Sequence, residues 1–321
     1  MRLIFSESNH APMNIATEEY LLKNIDDDIF YLYINSPSII VGRKQNTLAE
    51  INYEFIKTSK IPVVRRLSGG GAVFHDMGNL NFCLIVRNVK NKEYDFTGYT
   101  KPIIDFLHSL GVNAVLEGRN DLTIEGKKFS GNAKYFSEKN MLQHGTLLFC
   151  TSLTDLSKAL KVDSAKFNDK AVKSIQSRVT NIYDHLPSKI SLEEFTDRLI
   201  SFINIEEYSF TSKDIERIML LVKEKYETWD WNFGTSPVYN YTKTIRTKGG
   251  TLQVSMNVSK GKISNLKFYG DFFSFKDIDI YEQYFHDCPH SYEFVNKVLT
   301  NFPASDFFIN IKNDDIINVM F

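Results

Sequence analysis

The sequence predicts an α+β protein: a large N-terminal unit followed by a small α+β unit of roughly 80 residues. Three observations carry this. Short β-branched and aromatic runs alternate with helical patterns through most of the chain, without an internal repeat. A Trp-, Gly- and Pro-bearing segment, "YETWDWNFGTSPVYNY", then interrupts the pattern. Beyond it, "YTKTIRTKGGTLQVSMNVSKGKISNLKFYG" alternates polar and apolar residues around glycine turns, as an antiparallel meander does.

Element by element, "MNIATEEYLLKNI" after Pro12 reads as a first helix, with Asn14 as N-cap and opposed faces that set Ile15, Leu22 and Ile25 against Glu19. "IFYLYIN", "SIIVGR", "IPVVRRL", "GAVFHD" and "NLNFCLIVR" read as strands. Ile103, Ile104, Leu107 and Leu110 have helical spacing, closed by Gly111 as a C-cap. The stretch from Asp121 to Phe149 reads as successive strands turning at Glu125-Gly126 and at Glu138-Lys139-Asn140. Helices are expected near 191–203 and 212–227, turns at Gly249-Gly250 and Lys260-Gly261, and a final helical pattern in "SYEFVNKVLTNF".

Composition narrows the function. The 321 residues are 43% hydrophobic and 24% charged, enough for a packed core. The net charge is -1 with acids and bases mixed along the chain, which argues against nucleic acid as a partner and leaves room for a small anion held by a few basic residues. Three cysteines, Cys83, Cys150 and Cys288, match neither a metal clip nor a disulfide framework, which points to a reducing, cytoplasmic setting. Glutamates interrupt the N-terminal stretch before a signal-peptide run develops, and no segment reaches the roughly 20 apolar residues that span a bilayer, so no membrane association is expected.

The densest chemistry lies in "RRLSGGGAVFHDMGNLNF", Arg65 to Phe82. Consecutive glycines let N–H groups turn toward an anion and let a ligand approach the backbone. No Lys-Ser/Thr pair follows as in a Walker A loop, and "AVFHD" reads as a strand where a dinucleotide fingerprint would open a helix, so the loop is borne on a sheet. Strand alternation sends Arg65 and Arg66 to opposite faces, one toward the loop and the other into solvent. In "GRNDLTIEGKKFSGNAKYF", Lys127 and Lys128 likewise diverge, so only one can serve a buried site. His75 and His144 stand at strand starts, where a hydrogen-bonded structural histidine is the commoner outcome. "HDCPH" places His286 and His290 around Cys288, but Pro289 breaks the helix that a metal pair there would need. The aromatic run "YGDFFSF" reads as core of the small unit.

Taken together, "RRLSGGGAVFHDMGNLNF", "GRNDLTIEGKKFSGNA", "QHGTLLF", "KSIQSRVTNI" and "WNFG" resemble the successive signature blocks of bacterial lipoate-protein ligases, from the first helix to the C-terminal unit. The resemblance implies a biotin/lipoate-protein ligase-like catalytic domain, a mixed sheet flanked by helices, over residues 1–242, with a small accessory domain at 243–321. It implies a reaction in which lipoate and ATP, with Mg²⁺, give lipoyl-adenylate, and the lipoyl group passes to a lysine of lipoyl domains on 2-oxoacid dehydrogenase E2 subunits or the glycine-cleavage H protein. No tightly bound cofactor is expected. By the same resemblance Lys128 is the catalytic residue, bridging carboxylate and α-phosphate, while Arg66, Gly71, Ala72, Val73 and Phe74 run along the nucleotide. Asn79 is a candidate for adenine, and Asn120 and Asp121 for phosphate or metal, with Asp121 the metal partner. Ser68, Gly70, His75 and His144 are expected along the lipoate channel with Lys128, and Ser174 to Asn181 as a loop that closes over the adenylate through Arg178.

Three other readings of this resemblance are weaker. A carrier-to-carrier acyl transferase would need a thiol nucleophile, whereas Cys83 and Cys150 lie in strand patterns and Cys288 in the small unit. A biotin ligase would carry a Gly-Arg-Gly-Arg loop, which is absent. A non-catalytic binding protein would be expected to lack Lys128, which is present.

Overall fold

The computed structural model describes residues 1–89, 96–118, 120–137, 139–160, 178–236, 239–272 and 274–321. The chain forms two compact units, one of Met1–Gln45 with Glu50–Thr228, the other of Asn46–Ala49 with Trp229–Phe321. The boundary expected at 242/243 falls within a strand, Tyr239–Thr247, of the second unit.

The first unit is built on a seven-stranded mixed sheet in the order β1-β2-β6-β10-β9-β8-β7. Its strands are β1 (Arg2–Phe5), β2 (Ile29–Ile34), β6 (Asn79–Val86), β7 (Ala114–Glu117), β8 (Asp121–Ile124), β9 (Lys127–Ser137) and β10 (Asn140–Leu148). Only β1 and β2 run parallel. Beside it lies a three-stranded sheet, β4-β3-β5, of β3 (Ser38–Val41), β4 (Val63–Arg65) and β5 (Val73–His75).

Period-two alternation divides the large sheet chemically. Phe30, Leu32, Leu80, Phe82, Leu84, Leu122, Phe129 and Leu147 join one apolar cluster with Ile103, Phe106 and Leu107 of the helix Thr97–Ser109 and Phe195 and Leu199 of the helix Leu192–Ile203. The residues between them, Tyr31, Tyr33, Asn79, Asn81, Cys83, His144 and Thr146, form the polar face, against which the first helix packs.

That helix, Ala11–Asn24, differs from expectation. It starts at the His10 cap with Pro12 in its first turn, where a missing N–H costs nothing. Asn14 lies inside it, fully buried, with its amide bonding Ser8 O and Asn35 Oδ1. Glu18 and Glu19 are buried as well, so the helix has no solvated acidic face there. Glu19 is satisfied by Lys23, Lys225 and the Tyr226 hydroxyl. Its C-terminal carbonyls at Leu21 and Leu22 accept from the two Nη atoms of Arg87, each at 2.6 Å.

The second unit is a four-stranded antiparallel sheet, β11 (Tyr239–Thr247), β12 (Gly250–Ser259), β13 (Lys262–Gly270) and β14 (Cys288–Pro289), covered by the helices Ile278–Gln283, Tyr292–Asn301 and Asn313–Met320. Of the run "YGDFFSF", Phe272 packs edge-on against Phe308 at 5.0 Å, while Tyr269 and Phe275 are exposed. His286 and His290 do not share a helix: His290 follows β14, buried, and donates from Nε2 to Met320 O at 2.7 Å.

Candidate active site

The glycine loop joins β4 to β5, as the sequence predicts, and Gly70 takes the left-handed φ of +89° that favours glycine. Arg66, 5% exposed, lies beneath it. Its Nη2 donates to Gly69 O and Gly71 O, both at 2.7 Å, its Nη1 to Ile40 O at 2.9 Å and its Nε to Ser68 Oγ at 3.0 Å. Among the described residues no carboxylate forms an ion pair with it, and burial lowers its pKa only to about 10, so the guanidinium remains a cation at neutral pH. Arg65 corrects the expectation from alternation. It is fully buried, donating from Nη1 to the carbonyls of Gly42, Arg43 and Gln45. Alternation does turn it away from Arg66, but that side of β4 is covered by the 42–45 segment.

The second wall comes from the β8–β9 hairpin, turned by Glu125 and Gly126 at φ of 52° and 73°. Thr123 pairs with Lys128 but Leu122 pairs with Ser130, leaving Phe129 as an extra residue. Such a bulge re-aims neighbouring side chains: Phe129 enters the apolar core while Lys128 lines the cavity. Lys127 is exposed. Lys128 Nζ lies 2.8 Å from Asp121 Oδ1. The backbone of Lys128 is also fixed, its N–H donating to Arg178 O at 2.8 Å and its carbonyl accepting from Thr180 N–H at 2.9 Å.

These walls and the polar face of the large sheet enclose a cavity of about 170 Å³. Arg66, Gly70, Gly71, Ala72, Val73, His75, Asn120, Lys128 and His144 all line it. Ser68 stands just behind, its Oγ 2.6 Å from His144 Nε2, and Asp121 reaches the cavity through Lys128. Phe74 and Asn79 are buried outside the lining, Asn79 donating to Asn81 Oδ1 at 2.8 Å. Arg178 is exposed and meets the site through its carbonyl. Residues 174–177 of the expected closing loop lie outside the described residues.

His75 is buried and held neutral, its pKa pushed down to about 3 by burial, then by Arg66 and His144. Its Nδ1 lies 3.0 Å from Asn35 Nδ2. Because Asn35 Oδ1 already accepts from Asn14, the amide donates and the ring proton sits on Nε2, which has no hydrogen-bond partner among the described residues.

Sequence reasoning missed several lining residues: Ile15, Tyr33, Ile40, Asn81, Gly131, Asn132, Ala133, Gly145 and Thr146. It also missed Glu18, which accepts from Tyr33 OH at 3.0 Å and bonds His144 Nδ1 at 2.8 Å. The signal was present in "NLNFC", where Asn79, Asn81 and Cys83 alternate with Leu80 and Phe82 and mark a polar sheet face.

Among the described residues no group of three or more His, Cys, Asp or Glu side chains could hold a metal alone. Asp121, paired with Lys128 beside the cavity, offers an oxygen donor of the kind that Mg²⁺ takes.

Residues 10–204 match the family model described as the lipoyl protein ligase A/B catalytic domain, and residues 236–320 the one described as the bacterial lipoate protein ligase C-terminus. The chain belongs to the lipoate-protein ligase family. Lipoate-protein ligase LplJ of Bacillus subtilis strain 168 is 40% identical over 322 residues, covering 98% of this chain and 97% of that protein. Lipoate-protein ligase 1 of Staphylococcus aureus strain Mu50 is 41% identical over 314 residues, covering 96% of each. Among solved structures, the bi-partite lipoate protein ligase of Thermoplasma acidophilum, described with its E2 lipoyl domain, superposes with a TM-score of 0.65 at 30% identity, covering 73% of this chain and 96% of that one. A lipoate-protein ligase A bound with ATP gives 0.62 at 27% identity, covering 73% and 98%. The mixed sheet with flanking helices and the small antiparallel second unit are thus the architecture of a lipoate-protein ligase. Among the described residues no helix is long and apolar enough to cross a membrane.

Proposed function

We propose that this chain is an ATP-dependent lipoate-protein ligase that forms lipoyl-adenylate and passes the lipoyl group to a specific lysine of small carrier domains, those of 2-oxoacid dehydrogenase E2 subunits and the glycine-cleavage H protein. The observation that carries the reading is a cavity lined by a buried arginine that, among the described residues, has no ion pair with a carboxylate, by an open glycine backbone and by a lysine held at a bulge.

Both half-reactions need this arrangement. A lipoate carboxylate oxygen attacks the α-phosphorus of ATP, the P–O bond to pyrophosphate breaks, and the leaving group takes the electron pair. Two anions must approach, so fixed positive charge stabilises the transition state where negative charge gathers. Lys128 is the catalytic residue: its Nζ exchanges Asp121 for the substrates and bridges carboxylate and α-phosphate. Arg66 supplies the second charge, and the backbone from Gly71 to Phe74 runs along the nucleotide with Asn120 at the phosphates, while Asn79, expected at the adenine, is buried behind the lining. Bound Mg²⁺, held by Asp121, would neutralise phosphate charge. Gly70, His75 and His144 line the acyl channel with Ser68 just behind them, and the Nε2–H of His75 can donate to the acyl oxygen. In the second step the carrier lysine attacks the acyl carbon, AMP leaves with the C–O electron pair, and the amine loses its proton. Arg178, exposed beside Lys128, would shield the anhydride from water. A reducing cytoplasm suits three cysteines that form no disulfide.

A thiol-dependent transfer between carriers is less well supported. Among the described residues no cysteine lines the cavity, and burial followed by Glu18 pushes the Cys83 thiol far above its usual range. The test is the intact mass of an apo E2 lipoyl domain or apo H protein incubated with the enzyme. Modification is expected with lipoate and Mg-ATP together; equal modification from an octanoylated carrier without ATP would contradict the ligase reading.

A further inference from the structure

Arg66 is held by a chain of hydrogen bonds that ends outside the cavity wall, on the first helix. We propose that Glu18 is a positioning residue for Arg66, acting through His144 and Ser68 to fix the order of donors and acceptors that holds the guanidinium under the glycine loop.

The direction of each bond follows from chemistry. Glu18, 2% exposed, accepts from the Tyr33 hydroxyl at 3.0 Å; burial and this carboxylate keep Tyr33 a phenol, hence a donor. A carboxylate offers only lone pairs, so His144 Nδ1, 2.8 Å from the other oxygen, must carry the ring proton. Where that is the ring's one proton, Nε2 accepts from the Ser68 hydroxyl at 2.6 Å, and this is the state the relay requires. With its proton committed, Ser68 Oγ presents lone pairs to Arg66 Nε–H at 3.0 Å. The order runs from arginine to serine to histidine to glutamate without reversal. Together with the carbonyls of Ile40, Gly69 and Gly71 it uses all but one of the guanidinium N–H groups, so the plane of Arg66 is set by a residue that does not line the cavity. Glu18 and Arg66, both buried, are thus joined through two intervening side chains and not by direct contact. This adds a residue on the first helix to the ligase reading, and only its kinetic arm rests on that reading.

The relay can be read without substrate. ¹⁵N-edited spectra of the ligand-free protein at neutral pH should show neutral His144 with the proton on Nδ1 and a slowly exchanging Arg66 Nε–H. Glu18→Leu and Ser68→Ala should each speed that exchange about tenfold or more, the loss expected for a hydrogen bond to a charged group. Glu18→Gln keeps a carbonyl oxygen for His144 and should preserve both signals. A wild-type ring protonated on Nε2 or on both nitrogens overturns the proposal, as does unchanged Arg66 exchange in Glu18→Leu. In lipoate-dependent ATP/pyrophosphate exchange, Glu18→Leu should lose about tenfold or more and Glu18→Gln less than about threefold; equal losses would assign the effect to charge and overturn the relay. Absence of exchange in the wild-type enzyme would count against the ligase reading alone, since the spectra would still decide the relay.

Discussion

Three adjacent glycines at 69–71 do different work. Gly70 needs its positive φ, and a Cβ there would crowd Arg66 Nη2. A Cβ at Gly71 would meet no protein atom within 4 Å, and its φ is not in the left-handed region, so nothing in the protein demands glycine there. Yet Gly71 lines the cavity. Gly71→Ala is therefore expected to leave the melting temperature unchanged while kcat/KM for ATP falls by about 10²-fold, the scale of a misplaced substrate; unchanged kinetics would remove the nucleotide from this stretch of backbone. At this scale the sequence was partly legible. Arg66, Lys128, His75 and His144 are singled out by the resemblance of their motif blocks, whereas charge and glycine spacing alone leave Arg65 and Arg66, and Lys127 and Lys128, undecided. Glu18 and Asn132 are not, since each reaches the site only through the sheet register and the packing of the first helix.

Elements were readable where turns and caps are local. The Glu125-Gly126 turn and the Gly111 cap follow directly from the preference of glycine for positive φ. The β8–β9 bulge at Phe129 left no mark, because an extra residue in one strand is defined by its partner. The buried acidic side of the first helix was invisible for a related reason: Lys225 and Tyr226, far along the chain, satisfy Glu19. The fixed position of this helix depends on its end as well. Arg87→Ala removes the donors to Leu21 and Leu22 and should lower stability by about 1–3 kcal/mol, measured as a drop in melting temperature. A loss within error would show that water replaces the side chain there.

For the molecule as a whole, buried neutral histidines set an acid limit. Burial lowers His75 to about 3 and His290 to about 4, whereas both approach 6.5 when unfolded. Below pH 6.5 the unfolded chain binds protons that the native chain refuses, so stability falls as pH falls, by up to about 1.4 kcal/mol per pH unit for each histidine until pH approaches its folded value. His290→Gln, whose amide can still donate to Met320 O, should flatten the decline in melting temperature between pH 6.5 and 4; an unchanged slope would mean other groups control it. The α+β class and the meander of the second unit were legible from periodicity, while the pairing of residues 46–49 with the second unit was not, because no local pattern announces a segment that leaves its sequence neighbours.

The central claim is that Lys128, Arg66 and the glycine backbone activate an acyl carboxylate with ATP. Lipoate-dependent exchange of labelled pyrophosphate into ATP tests it most directly, in the wild-type enzyme and in Lys128→Ala with its fold verified by circular dichroism. Exchange that requires lipoate in the wild type and vanishes in the folded variant is the predicted result; exchange without lipoate, or undiminished exchange in Lys128→Ala, would contradict the account.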